Sequence, residues 1–205
     1  MNLPNKLTIF RLILIFPLLL LFIAYKYFID YNYKISHIVI LSLILLIFVI
    51  AMITDYFDGK IARKNNLITS FGKLWDPLAD KIIVTSTMLF LTLYSFIPFW
   101  IVIVFIIRDL IVDGSRVVMA KKNIGVEASL WGKLKTLTQT IGIITILIIA
   151  ISFNYPIEFE IKQYSVLYTE FLIHIINIPL IIGLGFSIFS GYLYVKKIIP
   201  HLELK

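Results

Sequence analysis

Four aspartates stand in two closely spaced pairs, Asp55 with Asp58 three residues on, and Asp76 with Asp80 four residues on. On a helix either spacing turns both carboxylates to one face. Like charges that close repel, and carboxylates at membrane depth are costly, so two such pairs call for compensating cations. The segment offers only oxygen donors, without His or Cys, which favours Mg²⁺, Ca²⁺ or Mn²⁺ over zinc. A glycine lies near each pair, Gly59 and Gly72, where backbone can approach a ligand closely. Asp76 alone has an ordinary alternative, as an N-cap followed by Pro77 at the first helical position. That role does not account for the set of four.

Composition dictates the elements that must hold these residues. The 205-residue chain is 60% apolar and 15% charged, with a mean hydropathy of +0.97, whereas a soluble domain runs at roughly 25% charged. A soluble protein of this size could not hide so much apolar surface, which excludes a cytosolic enzyme and a disordered chain. The absence of cysteine excludes a disulfide scaffold. The fold class that remains is all-α, a polytopic membrane protein. A bilayer core about 30 Å thick needs ~20 apolar residues per helix, and six spans fit: 7–25, 35–53, 82 to a break at 95–98, then to 120 from a helix whose first turn holds Pro98, 134–153 and 171–195. Lys6 and Arg11 ahead of the first run resemble a signal peptide, but no small-residue cleavage site follows, so a retained span is expected.

The net charge of +7 comes from basic residues in short gaps between apolar runs, a pattern that sets membrane orientation rather than nucleic-acid binding. With both termini in the cytoplasm, all Lys and Arg except Lys26, Lys34 and Lys162 fall on the inner side or in the inner ends of spans. Residues 154–170, with Glu158, Glu160 and Glu170, are then external. No internal repeat interrupts the chain, so a single domain over 1–205 is expected.

The order Asp55-x2-Asp58-Gly59-x2-Ala62-Arg63-x8-Gly72-x3-Asp76-x3-Asp80 resembles, with no position missing, the signature of the CDP-alcohol phosphatidyltransferase family. The resemblance implies six transmembrane helices, a site facing the cytoplasm and a homodimer in the cell membrane. It also implies a reaction in which an alcohol attacks the lipid-bearing phosphorus of a CDP-linked lipid and CMP leaves. Asp55, Asp58, Asp76 and Asp80 would hold a divalent metal, Mg²⁺ or Mn²⁺, as two ions. Asp80 would also be the catalytic base on the acceptor hydroxyl. Gly59, Ala62, Arg63 and Gly72 would bind the CDP-lipid, Arg63 as a planar fork on the diphosphate. A topology anchor is the plainer role for Arg63.

The acceptor has to be read elsewhere. Arg108, Asp109, Asp113 and Arg116 lie in the fourth span; 109, 113 and 116 share one stripe, on which Asp113 can pair with Arg116. Arg108 lies about 100° off that stripe. A structural intramembrane ion pair is the plain alternative for these acids. Lys133 and Lys135 open the fifth span, where a helix N-terminus favours anions. Arg108, Arg116, Lys133 and Lys135 thus form a candidate acceptor-phosphate set, while Lys121 and Lys122 read as anchors. The opening Asn2-Leu3-Pro4-Asn5-Lys6-Leu7-Thr8-Ile9-Phe10-Arg11, Arg108 and Arg116 of the fourth span, and the stretch Gly132-Lys133-Leu134-Lys135-Thr136 are similar to the bacterial phosphatidylglycerophosphate-forming branch of the family. That likeness implies CDP-diacylglycerol and glycerol 3-phosphate as substrates. Rival readings are a relative taking phosphatidylglycerol, serine or an inositol phosphate, a divalent-cation transporter, and an aspartate-rich enzyme of prenyl diphosphates. Gly59, Ala62, Arg63 and Gly72 argue against the last.

Overall fold

In lipid no water is available to hydrogen-bond the backbone, so long apolar runs close their N–H and C=O groups within helices. A computed structural model describes residues 2–28, 34–65, 69–121, 130–152 and 166–201. Among these are seven α-helices: α1 (Leu3–Phe28), α2 (Lys34–Lys64), α3 (Ser70–Leu93), α4 (Phe99–Lys121), α5 (Leu130–Ser152), α6 (Val166–Ile176) and α7 (Ile178–Ile198). The stretches Leu3–Tyr27, Ile35–Ala62, Leu130–Ser152 and Ile178–Ile198 are long and apolar enough to cross a membrane. The described residues are therefore all-helical, and the protein is multi-pass. In α3 and α4 ionisable residues interrupt the apolar run, Asp76, Asp80 and Lys81 in one and Arg108, Asp109, Asp113 and Arg116 in the other.

Several sequence boundaries move. α2 continues past residue 53 to Lys64, and α3 begins at Ser70, well before Ile82, so both aspartate pairs lie inside helices. The N-cap role for Asp76 is overturned: Thr69 caps α3, its side chain accepting from the Gly72 N–H at 3.0 Å, and Pro77 lies within the helix. The break after α3 falls where expected, with Ser95 at φ 59° and α4 starting directly after Pro98. The run 171–195 is divided at Asn177, because Pro179 lacks an N–H for the helix ladder. Most of 154–170, including Glu158, Glu160 and Lys162, lies outside the described residues, as does Lys122.

The chain divides into two compact units, Met1–Phe96 with Ile144–Val166, and Ile97–Ile143 with Leu167–Lys205. In the first, α1, α2 and α3 pack on one another. Leu41, Ile44, Phe48 and Ala51 form the buried stripe of α2, and Ala79, Ile83, Thr87 and Leu91 that of α3, both at helical spacing. Phe22 stacks on Phe90 at 4.4 Å between ring centroids. Buried His37 shares hydrogen bonds of 3.0 Å with Tyr25 Oη and the Ala150 carbonyl, giving both its ring nitrogens a partner.

In the second unit α4 packs on α7 around Val112, Met119, Tyr194 and Ile198. Small residues bring α5 against α7: a Cβ on Gly142 would lie 2.7 Å from Leu180 Cδ2, and one on Gly183 2.7 Å from Thr138 Oγ1. In each unit large apolar side chains stay exposed, Phe16 and Leu20 in one, Leu110 and Tyr192 in the other. Such a surface suits hydrocarbon rather than water.

Candidate active site

The first unit builds an acidic cluster from three helices. Asp55 and Asp58 lie in the polar last third of α2, and Asp76 and Asp80 lie one turn apart in the first half of α3. The entry of α3 is held by side chains: Thr69 Oγ1 donates to Asn5 Oδ1 of α1 at 2.8 Å. Gly72 makes that junction fit, because a Cβ there would stand 3.1 Å from Asp76 Oδ2 and 3.4 Å from Thr69 Oγ1. The close approach read from the sequence at Gly72 is thus made by the chain's own Asp76.

At the centre is Arg11, to which the sequence reading gave no site role, taking it as a basic flank and as the end of the family-like opening stretch. It lies inside α1, is 0% exposed, and donates through Nη1 to Asp55 Oδ1 and through Nη2 to Asp58 Oδ2. Nη2 also reaches Asp76 Oδ1 at 3.4 Å. Thr8, one turn earlier on α1, has its hydroxyl against that same Asp76 oxygen and the Pro4 carbonyl. Asn5, Thr8 and Arg11 recur every three residues and so line one face. The signal that could have exposed Arg11 is its position within an apolar run rather than before it, since an intramembrane cation is by default functional or paired.

Asp58 is nearly sealed, with 3% of its side chain exposed, against 41% for Asp55 and 33% for Asp76. Three carboxyl groups converge on one guanidinium, and their oxygens are donors of the kind that hard divalent cations take. Among the described residues, no three acidic or histidine side chains stand close enough to form a metal cage as they are arranged; Arg11 lies between the carboxylates. Asp80 is half-buried one turn beyond Asp76. Gly59 and Ala62 are partly buried on α2, and the Arg63 side chain lies outside the described residues.

The second unit builds a basic cluster. Arg108 donates to Asp109 Oδ1 at 2.8 Å, to the Ser187 carbonyl at 2.9 Å and to Ser190 Oγ at 2.9 Å. Arg108 lies off the stripe shared by 109, 113 and 116, yet its neighbour Asp109 on that stripe is its partner. Gly191 permits this contact, its built Cβ standing 3.3 Å from Arg108 Cγ. Lys135 Nζ donates to both Asp109 oxygens, at 3.1 and 2.9 Å, and lies over the Phe105 ring. Arg108 and Lys135 therefore share one acid, and the side chains of all three are less than a fifth exposed. Two cations on one carboxylate leave a positive charge, and the guanidinium uses only three of its five N–H donors on these partners. Arg116 goes elsewhere, lying over the Tyr194 ring at 5.2 Å and donating to its hydroxyl at 3.3 Å. Lys133 is exposed. Of the four expected acceptor residues, Arg108 and Lys135 are joined through Asp109.

Helices long and apolar enough to cross a membrane, with an acidic cluster in one unit and a basic cluster in the other, define a multi-pass membrane protein. Residues 1–182 match the family model of the CDP-alcohol phosphatidyltransferases, and the chain belongs to that family. It is 35% identical over 159 residues, 77% of this chain and 67% of the relative, to a Mycoplasma pneumoniae protein named CDP-diacylglycerol–glycerol-3-phosphate 3-phosphatidyltransferase. A Bacillus subtilis protein of the same name is 36% identical over 150 residues, 73% of this chain and 70% of that one. A Rickettsia typhi protein so named is 36% identical over 149 residues, 73% of this chain and 76% of its own.

Proposed function

We propose that this protein transfers the phosphatidyl group of CDP-diacylglycerol to glycerol 3-phosphate, giving phosphatidylglycerophosphate and CMP. The reading is carried by one observation: an acidic signature with three members on one buried guanidinium, in a chain 35% identical over 77% of its length to a protein named for that reaction. Asp80 takes the proton from the acceptor hydroxyl, whose oxygen then bonds to the lipid-bearing phosphorus. The bond from that phosphorus to the bridging oxygen breaks, and CMP leaves with the electron pair. Such transfers rest mainly on positioning and charge neutralisation. Asp55, Asp58, Asp76 and Asp80 would hold two divalent cations, Mg²⁺ or Mn²⁺, which when bound supply charge neutralisation for the diphosphate. Gly59, Ala62, Arg63 and Gly72 bind the CDP-lipid, and Arg108 and Lys135, with Lys133 and Arg116, bind the acceptor phosphate.

The protein acts as one functional unit in the cytoplasmic membrane, with six spans, both termini and the acidic cluster on the cytoplasmic side, and as a homodimer. The lysine and arginine distribution supports the orientation, and family membership supports the span count and the dimer. The test is CMP release by the purified chain with CDP-diacylglycerol, Mg²⁺ or Mn²⁺, and a panel of glycerol 3-phosphate, phosphatidylglycerol, serine and inositol phosphate. Release with glycerol 3-phosphate, abolished by a chelator, is expected. No release with that acceptor overturns the assignment.

A further inference from the structure

Arg108 is held from two helices by contacts of different kinds. On its own helix α4, Nη1 donates to the Asp109 carboxylate; on α7, Nε donates to the Ser187 carbonyl and Nη2 to Ser190 Oγ, both at 2.9 Å. Residues 187, 190 and 191 lie about one turn apart on the buried face of α7. Gly191 gives the arginine its seat, since a Cβ there would stand 3.3 Å from Arg108 Cγ and 3.7 Å from Nε. The Ser187 contact uses a backbone carbonyl, which has a second lone pair beside its helical bond and would be supplied by any residue at that position. Of the two α7 contacts, only that of the wholly buried Ser190 depends on side-chain type.

A guanidinium is planar and rigid, so two contacts along its Nε–Nη2 edge fix its plane as well as its place. Nη1 and Nη2 each keep one N–H beyond the contacts made among the described residues, donors of the kind that grip phosphate. We propose that Ser190 is a positioning residue for the acceptor phosphate: its hydroxyl sets the plane of the Arg108 guanidinium so that these remaining N–H groups meet the phosphate. This rests on the reading that Arg108 takes that phosphate. Without the hydroxyl, Nε and Asp109 still anchor the group, but its outer end turns freely and must be ordered when the ligand binds, which weakens binding.

CMP release by the purified full-length chain, titrated separately in glycerol 3-phosphate and in CDP-diacylglycerol, tests this role. Ser190→Ala removes the hydroxyl, and Ser190→Cys replaces it with a thiol, a weak acceptor. Either variant that elutes as a single species with wild-type helix content decides the matter. KM for glycerol 3-phosphate should rise about five- to tenfold, with KM for CDP-diacylglycerol unchanged. Arg108→Lys, which lacks the planar fork, should raise the same KM by itself; adding Ser190→Ala to it should then change nothing further, because residues acting through one contact are not additive. A serine that merely fills space would show no such dependence on Arg108. An unchanged glycerol 3-phosphate KM in the single variant, an equal rise in both KM values, or a full further rise in the Arg108→Lys background overturns the proposal and leaves Arg108 as the acceptor ligand. A wild-type glycerol 3-phosphate KM in Arg108→Lys, or no release by the wild-type chain with that acceptor, removes the reading of Arg108 itself, and the proposal with it.

Discussion

The two polar clusters are built on opposite arithmetic: the first unit surrounds one arginine with three aspartates, and the second surrounds one aspartate with an arginine and a lysine. In both, the minority charge is the organiser, contacting members that would otherwise repel one another. In both, the majority charge exceeds it, so each cluster is internally held and still able to attract a ligand of opposite sign. The difference lies in what is attracted. An excess of carboxylate suits a divalent cation, and an excess of ammonium and guanidinium suits a phosphate. Arg11 and Asp109 thus hold corresponding places, and neither was among the candidate site residues read from the sequence.

The sharpest way to break this comparison lies on the acidic side. Asp80→Asn should lower turnover by about 10³-fold in the CMP-release assay, with CDP-diacylglycerol binding still measurable. Equal loss of binding would make cation holding the whole role of Asp80 and remove its separate part as the base. Next comes the organiser of the basic cluster. Asp109→Asn leaves Arg108 and Lys135 facing each other without their shared carboxylate, and loss of one partner from a buried ion pair costs about 3 kcal/mol. A lower Tm is expected, with KM for glycerol 3-phosphate raised about tenfold and KM for CDP-diacylglycerol unchanged. A rise in the CDP-diacylglycerol KM instead would undo the division of labour.

Arg63→Lys tests a smaller effect. A bidentate diphosphate contact loses its fork, so KM for CDP-diacylglycerol should rise by roughly 5- to 10-fold, whereas a topology anchor would tolerate the change. The smallest effect is expected at Lys133, which is exposed. Lys133→Gln should raise KM for glycerol 3-phosphate about threefold and leave Tm unmoved, in contrast to Asp109→Asn. A fall in Tm as large as that of Asp109→Asn would place Lys133 within the packed cluster.

The sequence by itself determined the solvent and the helical secondary structure. A chain this apolar must live in lipid, lipid forces helices, and the aspartate spacing on a helix makes paired carboxylates whatever surrounds them. It also marked the break before Pro98, because proline constrains its own backbone. Helix limits were less legible: α2 and α3 carry their periodicity through charged residues, so hydropathy ended one early and began the other late. Similarly, Asp76 looked like a cap because Pro77 follows it, until Thr69 supplied the cap. What only the tertiary structure decided is which distant charges meet. Arg11 stands 44 residues from Asp55 and 65 from Asp76, and Lys135 stands 26 from Asp109. No local spacing encodes such pairs. They arise because burying a charge is tolerable only beside an opposite one, and packing α1 on α2 and α3 brings Arg11 to the place where three carboxylates need it.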